Sequence, residues 1–315
     1  MTIGVGFSVA LGLLILAVAV FTIGTRDSFA AVVAFVVYGL LLSLGWMNLY
    51  CPDVALTEAA VGGGVTGALL LNACARVRSE KTSDFKKSPR WIGRGMAGLL
   101  CLALSSGLVA VVILLPNPAP TLAPEATRSL SVTGLGNPVT AVLMAYRALD
   151  TMLEKVVLLL ALVGVWSLAS DRFWGGRATF GHLPEPDRPL IFLTRVLAPV
   201  GIIAGIYLFW VGADAPGGAF AGGAIISAIW ILVFFAGLSL VPVVGGFGLR
   251  IVLSIGIIIF LAAGVAGIWV AGGFLAYPAG FAKPIIVAIE VAMTLSIGAT
   301  LGLLVAGPPG ESLKP

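Results

Sequence analysis

Long apolar blocks alternate along this chain with short polar connections, and the blocks show no strict polar/apolar alternation. They run from Ile3 to Ile23, Phe29 to Met47, Val54 to Ala75, Met96 to Leu115, Leu153 to Ala169, Leu190 to Val211, Gly218 to Leu240, Leu249 to Trp269 and Pro284 to Ala306. A helix rising about 1.5 Å per residue crosses the roughly 30 Å hydrocarbon layer with such a block. The pattern therefore predicts an all-α, polytopic transmembrane helix bundle of about nine spans. A β-barrel needs strands of about ten alternating residues, which a segment such as IVLSIGIIIFLAAGVAGIWV does not offer. The first block has no positive flank before it, and Arg26 follows it, so it is expected to stay as a span.

Composition agrees with this picture. Of 315 residues 59% are hydrophobic and 10% charged, against roughly 25% charged in a soluble domain. Gly63 with Gly67, Gly201 with Gly205, Gly218 with Gly222 and Gly298 with Gly302 have the small-xxx-small spacing that lets helices approach closely in lipid.

The polar breaks divide the chain into residues 1–75, 76–172 and 173–315, the four spans of the last following RFWGGRATFGHLPEPDRP. Lys and Arg set the orientation. The connection Arg76 to Arg94 is strongly basic, and Arg172, Arg177 and Arg188 share a later connection. Both are expected inside, with Pro116 to Gly136 outside. This gives a multi-pass protein of the inner (plasma) membrane, its amino terminus outside and its carboxyl terminus, with Lys314, in the cytoplasm.

Chemistry is expected where ionisable groups lie within apolar blocks. A charge at the bilayer centre costs about 2.5 to 3.5 kcal/mol, so it needs a partner, water or a proton. Glu58 follows Pro52 and Asp53 in CPDVALTEAAVGGG. Pro52 and Asp53 suit a first helical turn, so Asp53 is either a helix-start residue or an ion ligand. Glu58, with Gly62 and Thr66 on its stripe, is a proton or ion group or a structural hydrogen-bonding group. Arg147, Asp150 and Glu154 share one face if their helix is unbroken, and then either Arg147 and Lys155 compensate the carboxylates or one carboxyl keeps its proton. The alternative there is an interfacial helix whose charges meet headgroups. Glu290 has no charged neighbour one turn away, so its partner is expected from another helix, water or another subunit, in a functional or a packing role.

The loop GADAPGGAFAGGAI offers Asp214 to amides at a helix start, Pro216 to restrict the backbone, and Gly217, Gly218, Gly222 and Gly223 for tight turns and close contact. Without a GKS or GKT ending it is not a phosphate cradle. Cys51, Cys74 and Cys101 have no CxxC spacing and His182 is the single histidine, so no cofactor and no metal site is expected. No nucleic-acid partner is expected either.

PDVALTEAAVGGG, residues 52–64, resembles the MbhD domain of Mrp-type cation/proton antiporters and membrane-bound hydrogenases, related to the NuoJ membrane subunit of NADH dehydrogenase. NPVTAVLMAYRALDTMLEK, residues 137–155, looks like the neighbouring MbhE domain, and PGGAFAGG resembles the PGGGFxGG signature of the antiporter B subunit, MrpB or MnhB. Leu153, Ala219 and Ala213 depart from the family, which has glycine, glycine and often histidine there. The resemblance implies an MbhD-like, an MbhE-like and an MrpB-like unit, in that order. It marks Glu58, Glu154 and Glu290 as the family's acidic positions and implies an accessory subunit of a Na+/H+ antiporter. The implied partners are A-, C-, D-, E-, F- and G-like subunits and lipid. A membrane-arm subunit of a hydrogenase or other redox-driven pump, or a scaffold with no ion path, are the alternatives.

Overall fold

The computed structural model describes residues 2–79, 91–116, 118–178, 187–239 and 241–310, and His182, Lys314 and the middle of the basic connection lie outside them. Among the described residues it is helical, with only isolated bridges pairing Arg177 with Val243 and Ala178 with Pro309. Helices α1 (Thr2–Gly24) and α2 (Ser28–Asn48) form an antiparallel pair. Then α3 (Pro52–Thr57) passes through a π-helical turn (Glu58–Val65) into α4 (Thr66–Ser79). Helix α5 (Trp91–Leu114) stands apart, and residues 95–116 are exposed throughout. Short helices α6 (Ala123–Arg128), α7 (Leu130–Thr133) and α8 (Pro138–Ala141) lead through a second π-helical turn (Val142–Tyr146) into α9 (Ala148–Trp166). After them come α10 (Arg188–Val211), α11 (Ala219–Phe235), α12 (Phe247–Val270) and α13 (Ala282–Ala306).

Among the described residues seven helices are long and apolar enough to cross a membrane. The two other expected spans correspond to α11, which is shorter, and α9, which carries Asp150, Glu154 and Lys155. Helix α13 forms the axis of the bundle. It packs on α9, α10, α11, α12 and α4, with Ile286, Ile289, Ile297 and Leu303 buried.

The small-residue pairs lie at these helix contacts. A Cβ on Gly201 or Gly205 meets Ile229 or Ile226 of α11, and one on Gly302 meets Trp230. On the other side of the bundle, a Cβ on Gly39 of α2 would lie 2.9 Å from the Gly63 nitrogen in the π-helical turn. Backbone-to-backbone contact of this kind replaces the hydrophobic drive that lipid cannot supply.

The starts of α3, α8, α11 and α13 meet at one end of the molecule, as the hydrogen bonds among Asp53, Asn137, Gly217, Asp214 and Lys283 require. The bridges of residues 177–178 to 243 and 309 close the other end. Four segments from three regions of sequence therefore run in the same direction.

Candidate functional site

At the shared end, Pro52 opens α3 and places Asp53 in its first turn. The Asp53 Oδ1 accepts from Asn137 Nδ2 and from the Gly217 amide, both at 3.1 Å. Asn137 is 3% exposed. Its Oδ1 caps α8 through the Val139 amide at 2.9 Å, while its Nδ2 also reaches the Ala215 carbonyl at 3.1 Å. Thr140 Oγ1 donates to the Gly212 carbonyl at 2.6 Å, and the Gly136 and Asn137 amides donate to the Ala213 carbonyl.

The PGG loop takes its shape from this lattice. Gly218 has φ 103, a region L side chains rarely enter. A Cβ on Gly217 would collide with the Leu208 carbonyl oxygen. Asp214 departs from the sequence expectation: its carboxylate pairs with Lys283 Nζ at 2.6 and 2.8 Å, and Asp53 receives the loop amide instead. Pro216 faces a neighbouring recess lined also by Tyr50 and Asn137, while Gly222 and Gly223 press α11 against Phe209 of α10 and Ile297 of α13.

Below the loop is a cavity of about 250 Å³ lined by Asp53, Thr57, Thr140, Thr151, Glu154 and Glu290 among apolar Met144, Met293 and Ile297. Glu290 is 4% exposed, and the Ala219 amide at the start of α11 donates to its carboxylate. The positive end of α11 thus supports a negative group. The Glu290 Oε2 is buried with no hydrogen-bond partner among the described residues, in a residue that lines the cavity. Glu154 stands across from it and is exposed on the open side, beside Leu143 and Leu153.

The other expected site residues are placed differently. The helix through Arg147 is broken, since the π-helical turn ends there with φ −126 and ψ 35. Arg147 still pairs with Asp150, but both are exposed. Lys155 does not compensate Glu154. It is 1% exposed and points into the bundle, donating to the Ser296 carbonyl at 3.1 Å and Thr300 Oγ1 at 2.7 Å. Glu58 opens the first π-helical turn and does not line the cavity. Its side chain lies over Gly62, where an added Cβ would strike Oε1.

Asn137, Thr140 and the Ala219 amide were not singled out from the sequence. The Asn-Pro pair at 137–138 carried a signal, because Asn favours the cap and Pro the first helical position. Tyr277 carried none. Its hydroxyl, pushed up to about 12 by burial, donates to the Met144 carbonyl at 2.8 Å and steadies the second π-helical turn.

Residues 13–79 match the MbhD family, the D component of MBH, and residues 189–308 match a domain related to the MnhB subunit of Na+/H+ antiporter. The chain thus carries one stretch similar to MbhD and a second similar to the MnhB-related domain. It is 26% identical over 165 residues to "Putative antiporter subunit mnhA2" of Staphylococcus haemolyticus, covering 51% of this chain and 20% of that relative. It is 32% identical over 155 residues to the A component of the Na(+)/H(+) antiporter of Alkalihalophilus pseudofirmus, covering 46% of this chain and 18% of that one. The matched stretches thus amount to a fifth or less of these relatives. Among solved structures, a chain of the Mrp complex from Dietzia sp. superposes with TM-score 0.72 and 24% identity, over 97% of this chain and 35% of that one. A chain of the membrane-bound sulfane sulfur reductase, an archaeal respiratory complex, gives 0.54 and 23%, over 68% of this chain and 98% of that one. Both share the fold. Asp53 and Glu58 fall in the MbhD segment, and the PGG loop and Glu290 fall in the MnhB-related domain.

Proposed function

We propose that this chain is an accessory membrane subunit of an Mrp-like multisubunit Na+/H+ antiporter and that the cavity at Glu154 and Glu290 is part of its translocation path. The observation that carries this reading is the pair of carboxylates around one cavity, with the Glu290 Oε2 unpartnered and 4% of the residue exposed. A carboxylate in such a place accepts a proton or a cation. The names of the curated relatives supply the ion class and the antiport activity. Residues 76–172 serve as the MbhE-like unit, which contributes Glu154 to the cavity wall. The partners are the remaining Mrp-type subunits, and the basic connection between Arg76 and Arg94 faces the cytoplasm.

Gln keeps the shape of Glu but carries no exchangeable carboxyl proton. In the assembled complex, Glu290→Gln is expected to lower cation-dependent proton flux by about tenfold or more at normal complex abundance, and Glu154→Gln to follow it. Glu58→Gln is expected to do less, since Glu58 does not line the cavity. Normal flux in both cavity variants rejects the site. The redox-pump alternative predicts redox subunits in the gently purified complex, which mass spectrometry of its components detects.

A further inference from the structure

Lys155 is the most deeply buried charged side chain among the described residues, at 1% exposed, and no carboxylate pairs with it there. A lysine at membrane depth ordinarily faces an acid or water. This one is seated on two neutral oxygens of α13, the Ser296 carbonyl and Thr300 Oγ1, while Thr300 in turn donates to the same carbonyl at 2.6 Å. Carbonyl and hydroxyl oxygens are the ligands a bare monovalent cation takes, so the seat resembles an ion site filled by a tethered ion.

The seat lies on the cavity's own stripe. Glu290, Met293, Ile297 and Thr300 succeed one another at three- and four-residue steps along α13, and the first three line the cavity. From Glu290 the seat is roughly 9 to 15 Å along the helix axis, at about 1.5 Å per residue. Beyond it toward the carboxyl-terminal end come more polar groups. Among the described residues Ser227 Oγ is buried without a partner beside Gly302, and Asn72 Nδ2 reaches the Val305 carbonyl at 3.2 Å.

Few charges surround this group. On α13 they are Lys283 and Glu290, on α12 only Arg250, which is exposed in the first turn, and on α9 itself Asp150 and Glu154, both exposed. Helix α11 and the turn Val142–Tyr146 carry none. Among these groups Glu290 is the buried carboxylate, at 4% exposed, on the same helix as the seat.

We infer that Lys155 is a tethered cation that couples the carboxylate cavity to proton movement: a mobile monovalent cation settling at Glu290 and Glu154 expels a proton from the Lys155 ammonium. The inference rests on reading that cavity as an ion site. One Nζ–H bond breaks, its electron pair stays on nitrogen, and the proton passes to water on the carboxyl-terminal side of the seat. The neutral amine still donates to Thr300. When the cation leaves, the amine takes up a proton and the seat is restored, so one positive charge replaces another. At an effective dielectric of about 20, a unit charge about 12 Å away changes a proton's affinity by about tenfold, enough to bias the exchange.

The test uses the assembled complex in vesicles, with radioactive sodium and a proton-sensitive dye. Lys155→Arg keeps a charge that cannot deprotonate and Lys155→Met removes it. Both are expected to retain sodium–sodium exchange within about twofold while sodium-driven proton flux falls at least about tenfold. Thr300→Val leaves the lysine in place but removes one oxygen of its seat, so the ammonium loses support and the pH profile of exchange is expected to move toward acid. A structural role for Lys155 predicts lower complex yield with normal coupling in what assembles. Unchanged proton flux in the Met variant, equal loss of both fluxes, or an unmoved pH profile in Thr300→Val overturns the inference. No sodium/proton exchange by the wild-type complex overturns the functional reading as well, so the two failures are distinct.

Discussion

Gly39, Gly62 and Gly217 differ in what a side chain at each would strike. At Gly39 and Gly217 the obstacle is backbone, the Gly63 nitrogen at 2.9 Å and the Leu208 carbonyl oxygen closer still. At Gly62 it is the end of the Glu58 side chain, which can swing aside. Gly39→Ala and Gly217→Ala are accordingly expected to destabilise the purified protein by about 1 to 3 kcal/mol, the usual scale of overpacking. Gly62→Ala should leave the melting temperature nearly unchanged while displacing the Glu58 carboxylate. Thermal unfolding of the three variants beside Gly107→Ala, whose added Cβ meets nothing within 4 Å, decides this. Equal melting temperatures refute it.

At the scale of elements, the helix starts are joined by two contacts of different strength. Asp53 accepts the Asn137 side-chain amide and the Gly217 backbone amide, both part-buried, so Asp53→Ala strands the Gly217 amide, unlinks Asn137 from α3 and is expected to cost about 1 to 3 kcal/mol. Lys283 and Asp214 form a pair whose side chains are 38% and 56% exposed. Lys283→Gln should therefore cost no more than about 1 kcal/mol. Complex yield and denaturation midpoints compare the two, and a Lys283 variant as damaging as Asp53→Ala contradicts this ranking. The pattern of apolar residues located the helices well but missed both π-helical turns, Glu58–Val65 and Val142–Tyr146. A π-turn adds a residue without changing the apolar character of its segment, so periodicity carries no mark of it. Its consequence is large, because the break at Arg147 lets α9 turn Lys155 inward and leave Glu154 on the open side of the cavity.

For the whole molecule, the parallel run of α3–α4, α9, α11 and α13 fixes relative directions, and the proposed absolute orientation rests on the basic connection. In a background where Cys51, Cys74 and Cys101 are replaced by Ser, cysteines placed between Arg76 and Arg94 should label only from the cytoplasm. Those placed between Pro116 and Gly136 should label only from outside, and the reverse pattern defeats the orientation. Among the described residues, helix α5 shows no buried face from residue 95 to 116. The chain purified alone is expected to exchange no cation for protons in liposomes, and exchange by verified monomer contradicts an accessory role.

Hydrophobic length and charge placement determined by themselves that the chain crosses a membrane repeatedly as helices, because lipid leaves an unpaired backbone few alternatives. They also marked Glu154, Lys155 and Glu290, since any charge inside an apolar block is conspicuous. Only the tertiary structure decided which of these groups meet. Glu290 finds the Ala219 amide, Lys155 finds Ser296 and Thr300, and Asp53 finds Asn137 and Gly217, each across a long gap in sequence. Such partnerships depend on helix rotation and depth, and these are set by glycine contacts and π-turns between helices whose apolar faces lipid satisfies equally well in many orientations.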